Sequence, residues 1–441
     1  MQPDKNIFCN TPWYELHIYW DGSLGICCQE DHKLYHKSES QYNIARMSIL
    51  DWFNSEPVRK FRTDILGHQR LTECRRCYIE EDHGGNSRRL KSNQKSVIFT
   101  RTAFDNSLQQ SPGYTKFLHS AKHDGHTTSL PIDMHIDLGN FCNLACKMCN
   151  PRASSTIAAQ EVKWGIQSSR QYLGTDWTRN QTVWDGFKQQ LLNITELNNI
   201  HFMGGETLLT DRFEDLVDTC IKHKRFDLCF SFVTNGTVFR PELLSKLQLF
   251  RRVGIEVSIE TMDAHNAYQR QGTDTELVLK NIDRYHEYCD GTSITVALRP
   301  APSLLSIGYY AELLKYALER QLIVKSNLCY SPRFLSAEIL PESIKQQYQT
   351  SYHTLLDQLQ DIAVDSDYNA SDPNNHRQAV KEQAQMCLNV LTTPTPVDSE
   401  EQLEAMVRHC ERWDRVYGYD ARTLYPEFKK ILDLYGYNIS S

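Results

Sequence analysis

The stretch Gly139-Asn140-Phe141-Cys142-Asn143-Leu144-Ala145-Cys146-Lys147-Met148-Cys149-Asn150 holds three of the chain's fourteen cysteines. Their C-x3-C-x2-C spacing suits thiolates that hold three corners of a cubane iron–sulfur cluster from a single loop. No fourth Cys or His follows closely. That is a defect for structural zinc, whose sites close with four ligands. For a cluster that binds a cofactor it leaves one iron open to an outside ligand. Buried loop cysteines, or zinc with a remote fourth ligand, are the competing readings.

On either side of this loop, apolar runs alternate with amphipathic helical stretches. The runs are Ile132–Leu138, Ile200–Met203, Leu228–Val233, Ile255–Ile259, Ile294–Leu298 and Ile323–Leu328. Such alternation predicts an α/β fold with a parallel sheet and helical crossovers. Six strands make a partial (β/α)6 TIM-like barrel, whose working residues sit at the carboxyl ends of the strands. Each run ends on something polar or unusual. In order these are the cysteine loop, Gly204-Gly205-Glu206, Thr234-Asn235-Gly236, Ser258 with Glu260, Arg299-Pro300, and Cys329-Tyr330-Ser331. Two glycines let a backbone approach a ligand closely, and a glutamate accepts from a cationic ammonium.

The cysteine triplet after one strand, with Gly204-Gly205-Glu206 after the next, resembles the radical S-adenosylmethionine (SAM) superfamily over about residues 131–335. The resemblance implies a [4Fe-4S] cluster on Cys142, Cys146 and Cys149 that binds SAM. It implies cleavage of SAM to a 5′-deoxyadenosyl radical and hydrogen abstraction from a substrate carbon, the C–H activation of an oxidoreductase or isomerase. It assigns Gly204, Gly205 and Glu206 to the SAM amino group, although Thr207 stands where the family usually has proline. Ser258 and Arg270 resemble positions that bind the SAM ribose and carboxylate, and Asn235 follows the same logic. A reductant such as flavodoxin or ferredoxin is the implied electron source.

A second cysteine group, Cys9, Cys27, Cys28, Cys74 and Cys77, precedes the barrel. Asp21-Gly22 between two strand-like runs reads as a hairpin turn. Ser48 caps one short helix, and Ser55-Glu56-Pro57 opens another with Val58, Phe61, Ile65 and Leu66 on one face and Gly67 at its end. The module brings together Cys9, Cys27 or Cys28, Cys74 and Cys77. Its opening resembles the SPASM/twitch auxiliary-cluster modules of radical SAM enzymes, which usually follow the barrel. The resemblance implies a second [4Fe-4S] cluster, and a zinc clasp is the alternative.

These features divide the chain into an auxiliary-cluster module (1–95), a polar connector (96–130), the barrel (131–335) and a helical C-terminal region (336–441). Trp164, Trp177 and Trp184 predict packed helices after the cysteine loop. The C-terminal region has a polar break at Asp365 to Asn375. A capping box, Ser399 with Gln402, then precedes a helix with Leu403, Met406, Val407, Cys410 and Trp413 on one face.

The remaining cysteines are scattered singly, the pattern of small buried hydrophobes. In an epimerising enzyme, Cys329 is the first candidate hydrogen donor, followed by Cys410 and Cys387. Lys plus Arg number 48 and Asp plus Glu 55, so the net charge is −7. An acidic chain lacks the electrostatic footprint of a nucleic-acid binder, and the basic run Ser87 to Lys95 reads as a solvated face. With no long apolar run and no export signal at Met1 to Asn6, the expectation is a cytoplasmic protein with reduced cysteines and no membrane association. The auxiliary module favours a ribosomally made peptide as substrate, crosslinked, dehydrogenated or epimerised. A small metabolite, sugar or nucleotide is the alternative substrate, and a non-catalytic iron–sulfur protein is the alternative class.

Overall fold

A computed structural model describes residues 6–30, 41–82, 87–95, 118–128, 130–360 and 375–439. Most of the connector at 96–130 and nearly all of the polar break at 365–375 lie outside the described residues. The strands are β1 (Glu15–Ile18), β2 (Leu24–Gly25), β3 (Asp133–Asp137), β4 (Ala145–Cys146), β5 (Asn199–Met203), β6 (Cys229–Thr234), β7 (Arg252–Val257), β8 (Arg270–Gln271), β9 (Ile294–Leu298) and β10 (Ile323–Val324). The six runs expected as barrel strands are β3, β5, β6, β7, β9 and β10. The chain forms two compact units, and its path crosses between them inside the cysteine loop and within β6 and β7. The first comprises Met1–Cys142, Pro151–Phe232 and Arg240–Val253, and the second comprises Asn143–Asn150, Val233–Phe239 and Gly254–Ser441.

In the first unit the N-terminal module is built into the sheet. β1 pairs in parallel with β3, aligning Leu16 with Met134 and His17 with His135. β3 continues in parallel to β5, which pairs in parallel with β6. The expected hairpin is present: β1 and β2 are antiparallel, and Gly22 turns the chain at φ 83°. Period-two alternation sorts the side chains. Leu16, Ile18, Met134, Ile136, Ile200, Phe202, Phe230 and Phe232 are buried on one face. The opposite face carries Glu15, Asp133 and Asn199 in one register row and His17, His135, His201 and Ser231 in the next. β1 is buried along its whole length because β2 and β3 flank it.

Both expected N-terminal helices form. Ile49–Phe53 is capped by Ser48, whose hydroxyl accepts from the Asp51 amide at 3.1 Å. Glu56–Leu66 buries Val58, Phe61, Ile65 and Leu66 and ends at Gly67. Between β3 and β5 run the helices Ser155–Lys163 and Gln181–Asn193. Trp177, Trp184 and Phe187 pack there with ring centroids 5.2–5.6 Å apart.

In the second unit the strand ends are stitched in succession. The Ser258 amide donates to the Thr234 carbonyl (2.8 Å) and the Arg299 amide to the Val257 carbonyl (2.7 Å), while β9 and β10 pair in parallel. β10 stops at Val324, four residues short of the expected Leu328. Beyond β9 the neighbouring chain reads Arg299-Pro300-Ala301-Pro302, and proline has no amide to donate to a ladder. The C-terminal helices are Glu342–Asp357, Asn375–Thr392, Ser399–Tyr417, Ala421–Leu424 and Lys429–Leu434. The helix at 399–417 buries Leu403, Met406, Val407, Cys410 and Trp413 as expected and ends at left-handed Gly418. Its N-cap is Asp398, one residue before the expected capping box, so Ser399 falls inside the first turn. Among the described residues no helix is long and apolar enough to cross a membrane.

Candidate functional site

The cysteine loop leaves β3 through Gly139, which has φ 136°. In the first unit its entry and exit are tied together. Asn140 donates through Nδ2 to the carbonyls of Pro151 (2.9 Å) and Tyr172 (2.8 Å), and its amide donates to Asp176 Oδ1 at 2.9 Å. The Cys142 amide reaches Ser155 Oγ at 3.3 Å, and the Cys142 carbonyl accepts from Thr156 Oγ1 at 2.6 Å. The Gly204-Gly205-Glu206 turn closes on the same backbone. The Glu206 amide donates to the Phe141 carbonyl at 2.7 Å and the Gly205 amide to Ala153 at 3.2 Å. Gly205 sits at φ 63°, where a Cβ would lie 2.5 Å from the Phe141 oxygen. The glycine requirement therefore comes from the cysteine loop itself pressing on this turn. Glu206 is buried and accepts from the Leu208 amide at 3.1 Å.

The middle of the loop belongs to the second unit. Cys146 lies in β4, antiparallel to β8, directly opposite Arg270. The Cys149 amide turns back to the Cys146 carbonyl at 2.9 Å. Arg270 donates from Nη1 to Glu260 Oε1 at 2.8 Å, and Glu260 Oε2 accepts from the Ala301 amide at 2.6 Å. Asn235 donates to Asn143 Oδ1 at 2.8 Å and accepts from the Thr237 amide at 3.0 Å, so its amide holds the residue following Cys142. Ser258 is buried at the end of β7. The sequence reading missed Lys147. It is fully buried, with Nζ 3.6 Å from Asp414 Oδ1 and 3.9 Å above the Tyr268 ring. A lysine between two cysteines hinted at a role, but its partner lies far along the chain.

In the N-terminal module, burial raises the Cys9, Cys27 and Cys74 thiols above the usual range, and Cys77 is pushed up to about 12. After burial, Cys74 is raised next by Cys9 and Cys77, Cys77 by Cys9, and Cys27 by Cys28 first, then Glu15 and Glu30, and last by Cys74. Cys9 and Cys77 are buried and Cys27 and Cys74 half-buried, and thiols that raise the cost of one another's ionisation are relieved by a bound metal centre, so this donor set fits an iron–sulfur cluster. The Cys28 sulfur and the ligand atoms of Glu15 and His135 lie within 4.8 Å of one another.

A guanidinium already serves that group. Arg88 hydrogen-bonds the Glu15 carboxylate and reaches His135 Nε2 at 2.9 Å. The neighbouring Arg89 is buried, bonded to the Glu81 carboxylate and to the Phe8 carbonyl. The run at 87–95 is thus not the expected solvated face, because buried carboxylates draw its two arginines inward. Burial lifts Glu15 to about 7 against the pull of Arg88. Removing one partner of a buried pair strands the other. Arg88→Ala is expected to cost about 3 kcal/mol in urea unfolding of the apo-protein, with Glu15→Gln in the double variant recovering most of it.

The three hydrogen-donor candidates are buried in the second unit. Burial pushes Cys329 and Cys387 up to about 12 and Cys410 up to about 11, so all three remain thiols at neutral pH. Cys410 packs against Met406, with the two sulfurs 3.7 Å apart. Of the other single cysteines, Cys220 and Cys289 are buried and Cys229 is half-buried, near Arg251 Nη2 at 3.3 Å.

Comparison with known proteins gives two family matches. Residues 136–300 match the radical SAM superfamily, and residues 9–78 match SPASM, an iron–sulfur cluster-binding domain. No curated protein matches the chain. Similar solved structures include Streptococcus suis SuiB bound to the precursor peptide SuiA, at 14% identity and TM-score 0.35, covering 65% of this chain and 60% of that one. Native anSMEcpe with bound AdoMet is 18% identical with TM-score 0.40, covering 52% of this chain and 62% of that one. The chain therefore matches less than two thirds of the length of either protein. The two family matches fall on the two cysteine groups: Cys142, Cys146 and Cys149 lie in the radical SAM match, and Cys9, Cys27, Cys28, Cys74 and Cys77 lie in the SPASM match, so the chain carries a radical SAM region and an N-terminal SPASM region, domains that imply SAM and [4Fe-4S] clusters.

Proposed function

We propose that this enzyme modifies a ribosomally synthesised peptide at carbon, by an oxidative crosslink, a dehydrogenation or an epimerisation. The observation that carries the radical step is the seating of the Gly205 backbone against Phe141, which fixes the entry of the cysteine loop. In this reading Cys142, Cys146 and Cys149 hold the SAM-binding cluster. When bound, that cluster and SAM supply a 5′-deoxyadenosyl radical. Glu206, fixed by the Leu208 amide, offers its carboxylate to the SAM ammonium. Asn235 secures the loop through Asn143. Ser258 serves the ribose, and Arg270, oriented by Glu260, serves the SAM carboxylate.

Cys9, Cys27, Cys74 and Cys77 hold the second cluster. Its task is to take the electron that an oxidised product must lose, which is why the SPASM module favours a peptide over a small metabolite. In an epimerising variant the second cluster takes no electron from the product; Cys329, Cys410 or Cys387 gives the carbon radical a hydrogen atom from its S–H, and the thiyl radical left behind returns to the thiol by taking one electron from the reductant and one proton from solvent. The electron source for SAM cleavage is a flavodoxin- or ferredoxin-type reductant.

Anaerobic reconstitution with SAM and reductant tests the enzyme, and peptides encoded by neighbouring reading frames test the substrate. The expected result is 5′-deoxyadenosine together with a mass change in one peptide, or solvent deuterium at an α-carbon when the reaction runs in heavy water. Radical formation with every peptide unchanged would move the assignment to a small metabolite, sugar or nucleotide. Absence of 5′-deoxyadenosine would leave a non-catalytic iron–sulfur protein.

A further inference from the structure

Lys147 lies between Cys146 and Cys149 yet points away from solvent, into the C-terminal helical region. Its amide is tied to the Gln269 carbonyl at 2.7 Å. Its ammonium stands over the Tyr268 ring and faces Asp414 Oδ1, with the Trp413 ring 5.6 Å away. Neither Nζ nor Oδ1 has a hydrogen-bond partner among the described residues, so charge and the aromatic faces hold the pair. The other oxygen of Asp414 is fixed by three donors: Tyr437 Oη at 2.6 Å, Tyr268 Oη at 3.1 Å and the Ala421 amide at 3.1 Å.

A buried charge costs little only when it is paired, and this aspartate is more rigidly held than a loop lysine. We infer that Asp414 is a positioning residue: through Lys147 it anchors the Cys146–Cys149 turn and balances the positive charge placed beside the metal centre. The inference rests on the cluster assignment above for its electronic half, while the anchoring half stands on protein contacts alone.

Two consequences follow from the electrostatics. Asp414→Asn keeps the shape and an acceptor but removes the counter-charge. An unbalanced cation then favours the reduced, more negative cluster, and the midpoint potential rises. Lys147→Met removes the cation, leaves the aspartate and lowers the potential. The double variant returns towards wild type. A purely structural role would not give opposite signs for the two single variants.

The experiment pairs two readouts on the full chain. In the apo-protein, amide exchange followed by mass spectrometry should show faster exchange at residues 145–149 in Asp414→Asn and restored protection in Lys147→Met/Asp414→Asn. In the reconstituted protein, the potential of the SAM-binding cluster should move up in Asp414→Asn and down in Lys147→Met. To isolate that cluster, the titration uses a Cys74→Ser background. The inference is overturned if exchange at 145–149 stays at the wild-type rate in Asp414→Asn, or if both single variants shift the potential in the same direction. Failure of the wild-type protein to bind iron at Cys142, Cys146 and Cys149 would sink the cluster assignment instead, and the exchange measurement would still decide the anchoring.

Discussion

Gly205→Ala should reduce 5′-deoxyadenosine formation by about 100-fold, the scale on which small misplacements of reacting groups act. Two independent obstacles meet at this residue. Its φ of 63° is a conformation that a side-chain-bearing residue adopts at a cost of about 1–2 kcal/mol. Its added Cβ would also stand 2.5 Å from the Phe141 carbonyl and 3.0 Å from the Phe141 amide, both backbone atoms that no rotamer change can move. The Glu206–Phe141 hydrogen bond would lengthen and the loop entry would shift with it. Because the strain is local, the chain should still fold, and far-ultraviolet dichroism should match wild type. Near-wild-type SAM cleavage in this variant would mean that the loop adjusts freely and that the turn does not set its position.

The second large effect separates two adjacent residues. Cys27→Ser is expected to lower bound iron from about eight to about four per chain, the difference of one cubane, with SAM cleavage retained and oxidised product lost. Cys28→Ser should keep about eight irons. The reason is proximity: Cys74 contributes to the raised Cys27 thiol, whereas the Cys28 sulfur lies within 4.8 Å of ligand atoms of Glu15 and His135. Iron analysis of the two variants decides the matter, and loss of four irons from Cys28→Ser would reverse the assignment.

Much of the fold was legible from residue types and spacing. Six runs marked the six strands: in β3, β5 and β6 apolar and polar residues alternate, the pattern of strands with one apolar face. The Asp21-Gly22 turn, the Ser48 cap and the buried face of the helix at 399–417 were readable because each depends on near neighbours in sequence. What escaped depends on distant residues. Nothing around Arg88 indicates that its counter-charge is Glu15, and nothing around Lys147 indicates Asp414. The choice between Cys27 and Cys28 likewise turns on which sulfur stands nearer Cys74, a residue far along the chain. The early end of β10 was written in the sequence as Pro300 and Pro302, but just beyond the neighbouring strand β9 rather than on β10 itself.

The parallel pairing of β1 with β3 bears on how the chain acquires its shape. Parallel strands cannot be joined by a tight turn, so Leu16, made early, must wait for Met134 before its ladder can form. Closing so long a loop carries an entropic penalty before any contact repays it, which makes this pairing a late and slow event. The strand that leads from Cys9 towards Cys27 therefore gains its β3 partner only after the residues around Met134 have been made.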